Sequence, residues 1–294
     1  MTEPRRLFCF GLGYSALALA QRLGPQGWRV AGTARTEEQC RALDSLGIAA
    51  SVFDGARKLA DFRAALAGTT HLLSSAPPDG AGDPVLGVHA ADLAALDRLE
   101  WVGYLSTTGV YGDRQGGWVD ESGAREPTGE RGRRRVAAED AWLDLHRKHG
   151  LPVHVFRLAG IYGPGRSAID TVKRGEARRI DKPGQVFSRV HVDDIAGVLL
   201  ASIARPNPGA IYNVCDDDPA PPEAVIAEAC RLLGVPAPPL VPFEQAKAGM
   251  SDMARSFYDD NKRVRNERIK KELGVVLKYP SYKDGLRALL QPRQ

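Results

Sequence analysis

The stretch FGLGYSA, residues 10–16, constrains this chain more than any other feature. It sets Gly11, Gly13 and Ala16 in a G-x-G-x-x-A spacing. An apolar run, RRLFCF, comes directly before it, and an amphipathic one, YSALALAQRLG, begins inside it. Each small residue has a physical task. Gly11 permits a tight turn, Gly13 lets backbone approach an anion, and Ala16 allows a helix to pack closely on a strand. The helix N-terminus that follows offers free N–H groups and a positive dipole end. A lone match to this spacing is weak, but its place between a strand and a helix makes it specific for a dinucleotide pyrophosphate.

The rest of the first half keeps that alternation. WRVAGTA, IAASVF, THLLSSA, WVGYLST and PVHVFRLAG read as further strands. TEEQCRALDSLG, capped by Thr36, reads as a helix, as do VLGVHAADLAALDRL and RRVAAEDAWLDLHRKHG. In the first helix Leu17, Ala20 and Leu23 share one face. Strands alternating with helices predict an α/β fold: a Rossmann-type, doubly wound parallel sheet. After about Gly160 prolines multiply and elements shorten, which predicts a small C-terminal substrate lobe. The expected division is a dinucleotide-binding core over 1–160 and a mixed region over 161–294. That second region completes the core and forms the lobe.

The glycine loop defines a candidate cofactor site of Gly11, Gly13, Tyr14, Ser15 and Ala16. Ser75 and Ala76 join it from the end of the fourth strand. The end of the second strand selects the cofactor. An acid there binds a ribose 2′-OH, and an arginine accommodates a 2′-phosphate. The chain has Thr33 and Arg35 there, with its acids further on, so NADP(H) is preferred and NAD(H) possible. Asp54 either accepts from the adenine amino group or caps a turn.

Composition narrows the remaining classes. A net charge of +4 suits a small anionic ligand and falls short of a nucleic-acid footprint. No apolar run nears the roughly 20 residues that cross a bilayer. The N-terminal basic residues lead into the glycine loop and not into a secretory core, so a cytoplasmic location is expected. Cys9, Cys40, Cys215 and Cys230 are too scattered for a disulfide framework or a zinc site, and no metal is expected. His146 and His149 read as a solvated helix face.

Four ordered motifs, YLSTTGVYGD, RLAGIYGPGR, RVHVDDIA and IYNVCDDDP, give the chain a family likeness. It resembles the extended branch of the short-chain dehydrogenase/reductase superfamily, the NAD-dependent epimerase/dehydratase family, over nearly its whole length. ARRIDKPGQVFSRVHVDDI and YPSYKDGL make it most similar to the atypical YeeZ-like members. The resemblance implies a catalytic Ser/Thr, then a Tyr-x-x-x-Lys pair in which tyrosine moves a proton and lysine binds the nicotinamide ribose. Counting along the motifs places Thr107 at the first position, Arg131 at the tyrosine, Arg135 at the lysine and Glu139 at a retained glutamate.

Arg131 cannot replace a tyrosine as proton carrier, because a guanidinium titrates above about 12. It can polarise a carbonyl or clamp an anion. Arg135 can still bind a ribose. Tyr111 and Tyr162, both at strand ends, are alternative proton donors, and a tyrosine beside arginines has a lowered pKa. Thr108, Arg166 and Arg189 are candidate substrate contacts. Gly160 and Phe187 stand where many nucleotide-sugar enzymes have asparagine and arginine, and Thr108 and Gly109 stand where the sugar dehydratases have acids. Dehydration is therefore set aside and a nucleotide-sugar substrate is disfavoured. His191 reads as a satisfied hinge residue, and Asp193 and Asp194 as caps of a helix starting near Ile195.

Two functions follow. One is an NADP(H)-dependent oxidoreductase or epimerase acting on a small anionic carbonyl or hydroxyl compound. The other is a non-catalytic dinucleotide-binding regulatory or redox-sensing protein. In the extended branch the two long helices pair across a two-fold, so a homodimer is expected, with Val136, Trp142, Leu143 and Leu145 as its apolar contacts.

Overall fold

The computed structural model describes residues 5–291; the start of the N-terminal stretch weighed as a targeting signal, residues 1–4, lies outside them. The chain forms two compact units. The first comprises residues up to Thr107, then 130–157 and 195–212. The second comprises 108–129, 158–194 and 213 onward. Residues 108–129, counted with the first 160 in the sequence reading, thus lie in the second unit.

The first unit carries β1 (Arg6–Phe10), α1 (Tyr14–Leu23), β2 (Arg29–Ala34), α2 (Glu37–Asp44), β3 (Ala49–Val52), α3 (Phe62–Ala65), β4 (His71–Ser74), α4 (Pro84–Ala94), β5 (Trp101–Thr107) and α5 (Glu130–His149). It also carries most of β7 (Val153–Leu158) and α7 (Val192–Ala204) and half of β11 (Ile211–Val214). Seven strands form one parallel sheet in the order β11-β7-β5-β4-β1-β2-β3. Connections run outward from β1 in both directions, so the order reverses between β1 and β4. In such sheets ligands bind at the carboxyl ends of the strands flanking that reversal.

Burial follows position in the sheet. β1 and β4 are central, covered on both faces, and almost wholly buried. β3, at one edge of the sheet, is mostly exposed, whereas β11 at the other edge is largely buried. Phe8, Phe10, Phe53, Tyr104 and Trp142 fill the core on one sheet face. In α1 the buried face is Ser15, Ala16, Leu19, Ala20 and Leu23; Leu17 is only half-buried, a correction of one position to the expected face. Thr36 caps α2 as expected, its hydroxyl accepting from Gln39 N at 3.2 Å.

The α5 helix starts at Glu130, earlier than its apolar pattern indicates, and Trp142 and Leu145 lie inside the unit's own core. The Trp142 indole donates to Asp83 at 2.9 Å. These two side chains are therefore withdrawn from the expected dimer contact; Leu143 also packs against that core from a half-buried position, which leaves Val136. His146 is not simply solvated: its Nδ1 is 2.8 Å from the Leu151 carbonyl.

The second unit carries β6 (Trp118–Val119), β8 (Gly160–Tyr162), α6 (Ala168–Lys173), β9 (Arg179–Asp181), β10 (Arg189–His191), α8 (Pro222–Leu233), β12 (Leu240–Pro242), α9 (Phe243–Ala246), α10 (Asp252–Asp259), β13 (Arg263–Val264), α11 (Glu267–Leu273) and α12 (Tyr282–Ala288). Its strands pair two by two: β8 with β10, β9 with β12, and β6 with β13. Ile169, Val225, Ala229, Tyr282 and Leu286 form an apolar cluster that joins α6, α8 and α12. The α7 helix begins at Val192, so Asp193 and Asp194 lie in its first turn and do not cap it from Ile195. Asp194 instead accepts backbone N–H groups of Lys278 (2.6 Å) and Tyr279 (3.1 Å).

No helix among the described residues is long and apolar enough to cross a membrane. The four cysteines are buried free thiols.

Candidate functional site

The glycine loop follows β1 at the reversal of strand order. Gly11 adopts φ +85°, and a Cβ there would lie 3.0 Å from the Ser75 hydroxyl oxygen. Both constraints call for glycine. Thr33 grips the loop from one side, its hydroxyl accepting from Gly11 N at 2.9 Å and its carbonyl from Leu12 N at 2.8 Å. Ser75 grips it from the other, its hydroxyl donating to the Gly11 carbonyl. These two polar side chains shape the loop, so their work is on the protein's own backbone. Ala76 N lies 3.4 Å from the same hypothetical Cβ.

Gly13 heads α1 with no side-chain cap, is exposed, and has open space where a Cβ would stand. The first N–H groups of a ten-residue helix therefore face an unfilled approach. Ser15 and Ala16 are buried against the sheet, and Tyr14 is half-buried beside them. Arg35 is exposed at the end of β2, with its backbone N–H held by Gln39 at 3.1 Å. Asp54 is exposed and accepts from Ala56 N at 2.9 Å, so of its two expected tasks the turn is the one it performs here.

At the end of β5 the motif residues separate into different environments. Ser106 donates to Glu139 at 2.6 Å, and Glu139 is fully buried. Arg157 meets that carboxylate with two nitrogens, at 3.0 and 2.7 Å, and is 1% exposed. This triad ties α5 to β5 and β7. Glu139, placed by motif counting alone, is thus a structural anchor. Arg135, at the lysine position, donates to the Leu105 carbonyl at 2.5 Å and to the Tyr104 hydroxyl at 3.1 Å. Its guanidinium is 5.7 Å from the Tyr104 ring centre. Burial pushes the Tyr104 phenol up. Arg133 and Arg134 pair with Glu130, which offsets cations at a positive helix end. Arg131 is exposed, and Thr107 is half-buried at the strand end.

In the second unit both candidate tyrosines are buried. Tyr111 is fully buried and donates to Asn213 at 2.7 Å. Tyr162 is 7% exposed, packs edge-on to His191, and has a phenol pushed upward by burial. That overturns the lowered pKa expected beside arginines: desolvation of the phenolate outweighs Arg189. The Gly285 backbone presses on the Tyr162 hydroxyl so closely that a Cβ there would lie 2.1 Å away. His191 accepts from Asp193 N at 3.1 Å through Nδ1. Thr108 opens the short 3₁₀ turn Thr108–Tyr111.

Arg166 and Arg189 both line a cavity of about 510 Å³ within this unit. Arg174, Arg178, Tyr258 and Tyr282 line it too, and sequence reasoning missed them. No spacing rule marks them, because they come from the turn that ends α6, the segment before β9, α10 and α12.

The family model described as the NAD dependent epimerase/dehydratase family matches residues 12–215. Protein YeeZ of Escherichia coli K12 is 29% identical over 289 residues, covering 94% of this chain and 97% of that protein. A solved structure of a conserved protein of unknown function from Silicibacter pomeroyi is 54% identical, with a TM-score of 0.88 over 97% of this chain and 98% of that one. UDP-glucuronic acid 4-epimerase from Bacillus cereus, solved in complex with NAD, shares the fold at 17% identity and a TM-score of 0.75, covering 96% of both chains. With its reversed strand order, its glycine loop and the match across most of its length, the chain belongs to the NAD-dependent epimerase/dehydratase family.

Proposed function

We propose that the chain binds NADP(H) at the Gly11–Gly13 loop, and that it acts as an oxidoreductase or epimerase on a small anionic carbonyl or hydroxyl compound. The observation that carries the reading is the uncapped α1 N-terminus at the β1/β4 reversal, open at Gly13, with Arg35 exposed at the end of the neighbouring strand. The loop N–H groups fit a pyrophosphate, and a guanidinium fits a 2′-phosphate bidentately. The NAD held by the Bacillus cereus epimerase supports a nicotinamide dinucleotide here. When bound, that cofactor supplies a hydride acceptor or donor. Thr107 positions the substrate oxygen, and Arg131 stabilises charge that develops on it. Water supplies the proton, since Arg131 stays charged and both candidate tyrosines are buried.

A second reading has its own support. Arg135 is turned onto the Leu105 carbonyl and the Tyr104 hydroxyl, where a ribose-binding group would need a free end. On that reading the chain is a dinucleotide-binding regulator without turnover.

Fluorescence titration of the full chain with NADPH and NADH tests the first proposal, repeated on Arg35→Asp. The expected result is tighter binding of NADPH, weakened at least about tenfold in the variant. Equal or tighter NADH binding would remove the NADP preference, and silence with both would remove the cofactor reading. Consumption of NADPH with small keto acids then separates enzyme from regulator.

A further inference from the structure

We infer that the cavity of the second unit is the binding site for a compact dianion on an apolar body, a phosphate monoester or a dicarboxylate, with Arg189 as its principal anchor. The inference deepens the reading of a small anionic substrate and rests on it.

Arg189 is the central observation. One nitrogen of its guanidinium donates to the carbonyls of Phe187 (2.8 Å) and Ala220 (3.0 Å), which fixes the group in place. Burial lowers its affinity for its own proton, so the cation sits in a poorly solvated position. Among the described residues no carboxylate pairs with it. Asp216 acts on it most strongly of the acids, yet burial pushes that carboxyl up to about 8 and keeps it neutral near pH 7. A desolvated cation without a counter-ion is costly unless something else supplies the charge.

The rest of the lining agrees. Arg166, Arg174 and Arg178 add three guanidinium groups, and no aspartate or glutamate is among the described residues that line the cavity. Arg174 is balanced by Glu176 at 2.7 Å. Arg178 and Arg189 are in no ion pair among the described residues, and a dianion matches these two cations better than a monoanion does. Planar guanidinium forks suit the oxygens of phosphate and carboxylate. Val225, Ile226 and Leu286, with Tyr258 and Tyr282, complete the lining. They provide apolar surface and ring faces for a body without charge. A cavity of about 510 Å³ falls within the range of small-molecule sites.

Calorimetric titration of the full chain tests this, with phenyl phosphate and phenylsuccinate as dianions, benzyl alcohol as the neutral control and UDP-glucose as a nucleotide sugar. NADPH is titrated into each protein alongside. Either dianion should bind while benzyl alcohol does not. Whichever of the two binds identifies the charged group as phosphate or dicarboxylate. Arg189→Gln should weaken the dianion at least about tenfold, with NADPH affinity held within about twofold. Arg166→Gln with Arg178→Gln, both at exposed positions, should weaken it about fivefold and decides the matter should Arg189→Gln fail to fold. The inference is overturned by no dianion binding in a protein that binds NADPH, by unchanged affinity in the variants, or by UDP-glucose binding tighter than both dianions. Dianion binding without NADPH binding would instead remove the cofactor reading and leave this site standing.

Discussion

Two arginines, one fully buried in the first unit and one half-buried in the second, are handled in opposite ways. Arg157 is met by the Glu139 carboxylate through two nitrogens, and Ser106 occupies the same carboxylate. Arg189 has two backbone carbonyls and a neutral acid for company. The first arrangement is complete without a ligand. The second has charge left over, and that charge borders a cavity. A buried cation by itself therefore says little about function; the presence or absence of its counter-ion distinguishes an anchor from a binding group.

The comparison breaks most visibly at Arg157. Arg157→Ala leaves Glu139 buried and uncompensated, which should cost about 3–5 kcal/mol in denaturant unfolding of the full chain. A loss under about 1 kcal/mol would mean that the triad is not an anchor. A smaller effect is expected at Gly285→Ala. Its new methyl would meet the Tyr162 hydroxyl at 2.1 Å, and relieving that overlap should cost about 1–3 kcal/mol and weaken dianion binding through the displaced Tyr162 wall. A fully stable variant would show that α12 can shift freely.

Asp216→Asn sharpens the contrast through pH. The Asp216 carboxyl stands at about 8 in the folded chain and at 3.8 without burial. A raised pKa means that the folded state holds the proton more tightly, so its stabilising contribution is full below 3.8 and is lost as pH rises towards 8. Asparagine has no such dependence. Between those values the wild type should lose stability relative to Asp216→Asn by on the order of 1 kcal/mol per pH unit, read from melting curves across pH. Parallel curves would show that Asp216 is ionised throughout. The smallest expected effect is at Thr36→Ala, where loss of the bond to Gln39 N should cost about 1 kcal/mol and leave dianion binding unchanged. Altered dianion binding there would tie the two regions together more closely than their separate hydrogen bonds do.

Legibility varied by kind of residue. The spacing of Gly11, Gly13 and Ala16 is local, and the loop they form obeys local backbone rules, so its place after β1 could be read directly. Thr33 and Ser75 were found by position, but their hydrogen bonds to the loop depend on strands 22 and 64 residues away from Gly11. The α5 arginines show the limit more sharply. Motif counting aligned Arg131 and Arg135, yet only packing turns Arg135 onto β5 and leaves Arg131 in solvent. Tyr162 was expected to be acidified by neighbouring cations. Burial, which no spacing reveals, moves it the other way.

Residue types and their order set the alternation of strands and helices, the glycine turn that opens α1, and the arginine, no carrier of protons near pH 7, at position 131. These are properties of residue type and short-range order, and backbone sterics and side-chain chemistry suffice for them. Tertiary structure alone decided which charges are paired. It placed Glu139 against Arg157 and left Arg189 without a carboxylate in ion-pair contact among the described residues. It also gathered the cavity wall from helices far apart in the chain. Desolvation and counter-ion distance set those outcomes, and both arise only when distant segments pack together.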